Sequence, residues 1–203
     1  MKGANVPMNI EETIQRLNTH NWTPEKGKTG ILLIDLQEYF RGIILPVLGN
    51  FKKMIKTGRE RNIPLFFTQH GHESTEESGM LGQWWADLII KGGDEARLLP
   101  ELDVSPEDTV IPKTTYSAFH NTGLEEKLKE HDIQDLIIGG VMTNLCCETT
   151  ARDAFVRDYR VFFLADGTST VSEDFHLATL TNLSYGFAIL LSCNGLMEIV
   201  KNW

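Results

Sequence analysis

Cysteine is scarce in this chain: there are three in 203 residues, two of them adjacent at Cys146 and Cys147 and the third far off at Cys193. An odd count with that spacing argues against a disulfide framework, and without a Cys-x-x-Cys pair or a Cys/His cluster a zinc finger is excluded as well. Long apolar runs are also missing. None approaches the roughly 18 residues that a membrane span needs, and the opening MKGANVPMNIEET lacks the apolar stretch of a secretory signal. Positive charge is in deficit, with 19 Lys and Arg against 28 Asp and Glu, a formal net charge of -9 and a pI near 5.1. Such a surface repels a phosphate backbone, and the basic residues are scattered, so neither nucleic acid nor membrane is expected as a partner. Repeats, low-complexity tracts and Ser/Pro/Gly-rich linkers are absent too. The expectation is one domain over residues 1–203 that stays in the cytosol.

What the chain does have is an alternation of short apolar runs with longer amphipathic ones, the pattern of βα units. Strands are expected at Gly30 to Ile34, Ile63 to Phe67, Thr109 to Ile111, Leu136 to Gly140, Val161 to Leu164 and Ile189 to Leu191. Four of them are apolar almost throughout, as strands of a parallel sheet covered on both faces must be, which makes the fold class α/β, a three-layer α/β/α sandwich. Helices are expected at Ile10 to Leu17 behind an Asn9 cap, Val47 to Arg61, Leu124 to Glu130, Asn144 to Val156 capped by Thr143, and Glu173 to Tyr185 behind Ser172. The segment from Gln69 to Pro100, holding Trp84 and Trp85, is irregular, and insertions of that kind are more often functional than idle.

In open parallel sheets the ligand crevice lies beyond the carboxyl ends of the strands. The polar groups just after the apolar runs are Asp35, Thr68 and Gln69, Lys113, the segment from Met142 to Cys146, and Asp166. Each alone reads as a cap, a turn or a solvated side chain; their joint occurrence points to a site. Cys146 falls in the first turn of a helix, where free N–H groups, the helix dipole and a nearby Lys113 are expected to favour a thiolate. Cys147 and Cys193 read as packing residues.

Four segments then go beyond generic pattern: ILLIDLQEYF around Asp35, FTQHGHESTEESGMLGQWW in the insertion, IPKTTYSAF around Lys113 and GVMTNLCCETTARDAF around Cys146. In order and spacing the chain resembles the isochorismatase-like cysteine hydrolase superfamily over nearly its whole length. The resemblance implies a Rossmann-like sheet of six parallel strands in a homo-oligomer, dimer or tetramer. It also implies an Asp-Lys-Cys triad at Asp35, Lys113 and Cys146, a non-proline cis peptide at Val141-Met142, and an oxyanion hole from the backbone N–H groups of Met142 and Cys146. Metal-containing nicotinamidases of the family carry Asp-x-His where this chain has His70-Gly71-His72, with no further His before His120, so no metal and no other cofactor is expected. Gln69, Trp85 and Tyr116 match substrate-contacting positions of metal-free isochorismatases, whereas an Arg that would hold a substrate carboxylate is Ser78 here. The run from Gly79 to Trp85 also resembles plant-type nicotinamidases without the metal motif.

A pocket walled by Phe40, Trp85, Tyr116 and Phe119 would suit a small flat amide, so hydrolysis of a nicotinamide-like C–N bond through a thioester on Cys146 is the leading expectation. Vinyl-ether hydrolysis of the isochorismatase type, which needs an acid but no thiol, is the alternative. A non-enzymatic binding role is the third reading.

Overall fold

The computed structural model describes residues 9–76, 78–85 and 87–203. Its centre is a six-stranded sheet built from β1 (Thr29–Ile34), β2 (Leu65–His70), β3 (Thr109–Lys113), β4 (Asp135–Val141), β5 (Arg160–Ser169) and β6 (Ala188–Leu191), in the order β3-β2-β1-β4-β5-β6. All five pairings are parallel. Every residue of β1 and β4 is buried, which is why these strands read as unbroken apolar runs. Alternation survives in where the side chains go: Leu32 and Ile34 join the hydrophobic cluster on one face, and Ile31 and Leu33 join the cluster on the other.

The described residues form eight α-helices, of which all but α4 pack against the sheet: α1 (Ile10–Leu17), α2 (Arg41–Ile44), α3 (Leu48–Glu60), α4 (Gly79–Trp84), α5 (Leu124–Glu130), α6 (Glu148–Val156), α7 (Glu173–Gly186) and α8 (Cys193–Val200). Residues of α1, α5, α6 and α7 pack into the first cluster, and residues of α2, α3 and α8 into the second. The Asn9 cap forms, with Oδ1 accepting from Glu12 N. Cys147 and Cys193 are fully buried, one in each cluster.

Several elements differ from the sequence reading. The segment before α6 is not α-helical from Asn144. Thr143–Cys147 forms a wider π-helical turn, closed by Cys147 N donating to Met142 O at 3.2 Å, a distortion often found at functional sites. Thr143 is not the cap, because its hydroxyl pairs with His176 Nδ1 at 3.0 Å. Ser172 stands at the start of α7 without a side-chain capping bond. β5 continues past Leu164 to Ser169: its pairing with β4 jumps from Ile138–Phe163 to Gly140–Thr168, a bulge that places Asp166 inside the strand. There Asp166 accepts from Cys193 N at 2.7 Å at the start of α8, a helix that the sequence reading omitted.

Two anchors hold the insertion between β2 and β3. His72 N donates to Ile89 O and Lys91 N to His72 O, both at 2.9 Å, so the two ends of the stretch 73–89 meet at one bridge. Further on, Glu38 N donates to Arg97 O and Leu99 N to Leu36 O, again at 2.9 Å, tying the segment to the chain just beyond β1.

Candidate active site

The strand order reverses direction between β1 and β4, and that switch point is where an open parallel sheet leaves a crevice. Asp35 follows β1, and the turn holding Cys146 follows β4. Asp35 has φ 52°, a left-handed conformation that Asp tolerates better than most residues. The two strands approach closely enough here to require glycine: a Cβ on Gly140, whose φ is 125°, would lie 2.3 Å from Ile34 O. The Val141-Met142 peptide that follows is cis.

The structure brings Asp35, Lys113 and Cys146 together. Lys113 Nζ sits 2.7 Å from Asp35 Oδ2 and 3.4 Å from Cys146 Sγ, and donates to Thr115 O at 2.8 Å. Both side chains of the Lys113–Asp35 pair are fully buried. The β1–β2 register pairs Leu33 with Phe67, so Thr68 lies alongside the end of β1. Its hydroxyl donates to Asp35 Oδ1 at 2.6 Å and accepts from Asp35 N at 3.0 Å. Asp35 Oδ2, although beside the ammonium, accepts no well-directed hydrogen bond among the described residues.

The ionisation state differs from the expectation. Burial pushes the Cys146 thiol up to about 12, against the Lys113 ammonium, which pulls it down, and with Asp35, which raises it further. The resting sulfur is therefore a thiol: losing water of hydration outweighs the favourable charge and the helix start. Burial also disfavours the Lys113 ammonium, but Asp35 and then Cys146 more than compensate and its pKa is raised. The Lys113 ammonium is thus stable in its buried place, and the sulfur stays neutral until something removes its proton.

Cys146 opens onto a cavity of about 560 Å³. Phe40, Trp85 and Tyr116 form part of its wall, with Met142 and Leu145 beside the sulfur. Trp85 Nε1 donates to the Tyr116 hydroxyl at 2.7 Å, fixing two of these aromatics against each other. Two expected wall residues are elsewhere. Gln69 does not line the cavity: side chains alternate along a strand, so His70 faces the cavity, and the Gln69 amide donates to Ala96 O at 2.8 Å. Phe119 is a core residue, buried against Tyr159 with Arg157 over its ring.

The sequence reading missed Gln37, although it lies in the ILLIDLQEYF segment. Fully buried, Gln37 exchanges two 2.8 Å hydrogen bonds with the His70 backbone and donates a third to Ala96 O. It fixes the end of β2 and the 94–96 turn relative to β1. A buried amide with three directed bonds is a positioning group, and only the fold reveals its partners.

His70 and His72 stack edge to face with centroids 5.0 Å apart, and His70 Nδ1 and both ring nitrogens of His72 are buried without a partner among the described residues. Burial, and then the Lys113 charge, push His70 down to about 4 and also lower His72, so both imidazoles are neutral near pH 7. Among the described residues no three His, Cys, Asp or Glu side chains converge as a metal centre requires. The donor set does not fit the three-ligand metal of the nicotinamidase branch.

A thiol, a carboxylate and an ammonium gathered at the switch point of a parallel sheet, with the thiol facing a cavity of small-molecule size, make a candidate active site of the α/β hydrolase class. The comparisons name the family. The Isochorismatase domain model matches residues 29–194. Nicotinamidase 3 of Arabidopsis thaliana is 41% identical over 185 residues, covering 90% of this chain and 93% of that protein. Enterobactin synthase component B of Escherichia coli (strain K12) is 33% identical over 171 residues, covering 80% of this chain and 60% of its own length. A cysteine hydrolase from Pseudomonas syringae pv. phaseolicola superposes with a TM-score of 0.81 at 20% identity, over 89% of this chain and 96% of that one, a likeness of fold. The chain belongs to the isochorismatase family and is a hydrolase of that family.

No helix among the described residues is long and apolar enough to cross a membrane.

Proposed function

We propose that this protein hydrolyses the C–N bond of a small flat amide, a nicotinamide-like carboxamide being the favoured substrate, without a metal. One observation carries the reading: Lys113 Nζ lies between Asp35 Oδ2 and Cys146 Sγ, at 2.7 and 3.4 Å, and Cys146 lines a cavity with aromatic walls. The likeness to Nicotinamidase 3 of Arabidopsis thaliana supports the choice of amide.

In this mechanism Asp35 removes the thiol proton as the sulfur attacks the carbonyl carbon, so the buried thiolate forms only in contact with its electrophile. Lys113 remains charged and offsets whichever of the two partners is anionic. The C–N bond breaks as Asp35 returns the proton to the departing nitrogen, leaving ammonia and a thioester on Cys146. Water then attacks that thioester, giving its proton to Asp35; the C–S bond breaks, and the proton returns to sulfur as the carboxylic acid forms. The backbone N–H groups of Met142 and Cys146 are the proposed donors to the oxyanion in both steps, each worth about 3 to 4 kcal/mol. Thr68 orients Asp35, and Trp85, Tyr116 and Phe40 sandwich the flat ring.

Ammonia release from pyridine-3-carboxamide tests the proposal. It should vanish in Cys146→Ala, and activity surviving that change refutes the thioester route. The competing vinyl-ether reading predicts pyruvate release from isochorismate that depends on Asp35 and persists in Cys146→Ala. We further expect a cytosolic homo-oligomer, dimer or tetramer, which light scattering of the purified protein checks.

A further inference from the structure

The walls of the cavity carry charge of one sign only. Of the charged side chains lining it, Asp87 and Glu95 are both acidic, and neither Lys nor Arg lines it among the described residues. His70, also in the wall, is neutral, and the Lys113 ammonium behind the floor is matched by Asp35 at 2.7 Å. Asp87 and Glu95 are exposed, so they stand at the mouth. Tyr39, another wall residue, senses both: its hydroxyl donates to Asp87 Oδ2 at 3.0 Å, and burial, then that hydrogen bond, then the charges of Asp87 and Glu95 raise its pKa. A ligand entering past Tyr39 therefore meets two carboxylates first and aromatic faces next. Aromatic faces bind cations and carboxylates repel anions, so both features favour the same charge.

We propose that this cavity sorts its ligands by charge: Asp87 and Glu95 admit neutral and ring-cationic carboxamides and turn away carboxylates. The inference rests on the amide-hydrolase reading for its substrates, but its physical basis is the cavity alone. It also has a consequence for turnover. Hydrolysis converts a neutral amide into a carboxylate inside an acid-lined chamber, so the product is repelled toward solvent, and the acid product is a weak inhibitor.

Two experiments separate the filter from the chemistry. In the first, Cys146 is labelled at low ionic strength with three methanethiosulfonates: neutral methyl, cationic trimethylammonium-ethyl and anionic sulfonatoethyl. The sulfur attacks the sulfenyl sulfur, forming a mixed disulfide and expelling methanesulfinate, and peptide mapping reads Cys146 alone. Relative to free cysteine, and normalised to the neutral reagent, the cation should outpace the anion by about tenfold, the scale set by two exposed charges acting through water. The preference should fall toward unity in Asp87→Asn/Glu95→Gln and in 0.5 M salt, since the Debye length there is only about 4 Å. A wild-type preference equal to that of free cysteine overturns the filter, as does one unchanged in the double variant or a failure of all three reagents to reach Cys146.

The second compares kcat/KM for pyridine-3-carboxamide, its N-methylpyridinium analogue and 3-carbamoylbenzoate. The anion should be the poorest substrate and should gain about tenfold relative to the neutral amide in the double variant. Charge-sorted labelling without hydrolysis of any amide would leave the filter standing and remove the amide reading. Amide hydrolysis that treats all three charges alike would do the reverse.

Discussion

Replacing Asp35 with Asn should make Cys146 more reactive toward alkylating agents while abolishing turnover. Asn keeps the shape of the side chain and removes the charge. The buried Lys113 ammonium then loses its carboxylate at 2.7 Å, and the anion it can still recruit is the sulfur at 3.4 Å. At an effective dielectric of about 20 an ammonium–thiolate pair at that distance is worth about 5 kcal/mol before desolvation is subtracted. In the wild type Asp35 raises the pKa of the thiol, so its loss acts in the same direction. Removing a nearby like charge typically moves a titration by roughly one to three pH units. The pH midpoint for iodoacetamide alkylation of Cys146 should therefore fall by that amount from about 12. At pH 8, below both midpoints, the alkylation rate should rise roughly 10- to 1000-fold.

Catalysis should nevertheless fall by a factor of about 10² to 10⁴, because the proton acceptor for the thiol and donor to the leaving nitrogen is gone. Leaving one member of a buried ion pair costs about 3 to 5 kcal/mol, so a melt lowered by roughly 6 to 20 °C is expected; the assays belong well below it. An alkylation midpoint that stays or rises would refute the account of the sulfur's ionisation, and an Asp35→Asn enzyme keeping a tenth of its activity would refute the role of the carboxylate.

Thr68→Val removes the hydroxyl that bridges Asp35 N and Oδ1 and fills the same volume; kcat should drop roughly 10- to 100-fold with little change in KM, measured by ammonia release. Gly140→Ala would push a Cβ to 2.3 Å from Ile34 O at φ 125°; a loss of about 2 to 4 kcal/mol is expected in urea unfolding, and a variant as stable as wild type would show that the strands separate freely. His70 has its pKa depressed to about 4 from 6.5. A base that stays neutral in the fold contributes its full stability above the unfolded pKa and loses it as pH falls toward the folded one. Stability should thus decline by up to about 3 kcal/mol between pH 6.5 and 4, and His70→Asn should flatten that part of a melting-temperature profile.

The sheet could be read from sequence because both faces of β1 and β4 are buried, so that position along the chain, and not a subtle periodicity, marks each strand. Asp35 and the turn holding Cys146 were readable as site candidates for the same reason, since each follows such a run, whereas Lys113 closes β3, a shorter strand with exposed positions. Helix ends were less legible where tertiary partners take over the local chemistry, as with Thr143, whose hydroxyl turns to His176. Gln69 and His70 are adjacent, and choosing between them needs the strand's phase relative to the site, which only the register supplies. Phe119 looks like a wall aromatic because it follows Tyr116, but the chain carries it under Arg157 and into the core. The state of the sulfur was the deepest miss. A helix start and a neighbouring lysine are visible in a sequence; the burial that overrides them is a property of the whole fold. Asp87 and Glu95 lie in the aperiodic insertion, where no pattern signals which side chains face inward.

The meeting of the two ends of 73–89 at the His72–Ile90 bridge has an evolutionary corollary. A stretch whose feet stand side by side can be lengthened, shortened or exchanged at little entropic cost, and this one contributes Leu81, Trp85, Asp87, Leu88 and Ile89 to the chamber. Asp35, Lys113 and Cys146 stand at the ends of sheet strands or just beyond them, outside that stretch. Much of the chamber wall is thus housed in a replaceable cassette and the proposed reactive groups in the chassis, so a lineage can reshape the chamber by rewriting about a dozen and a half residues without disturbing those groups.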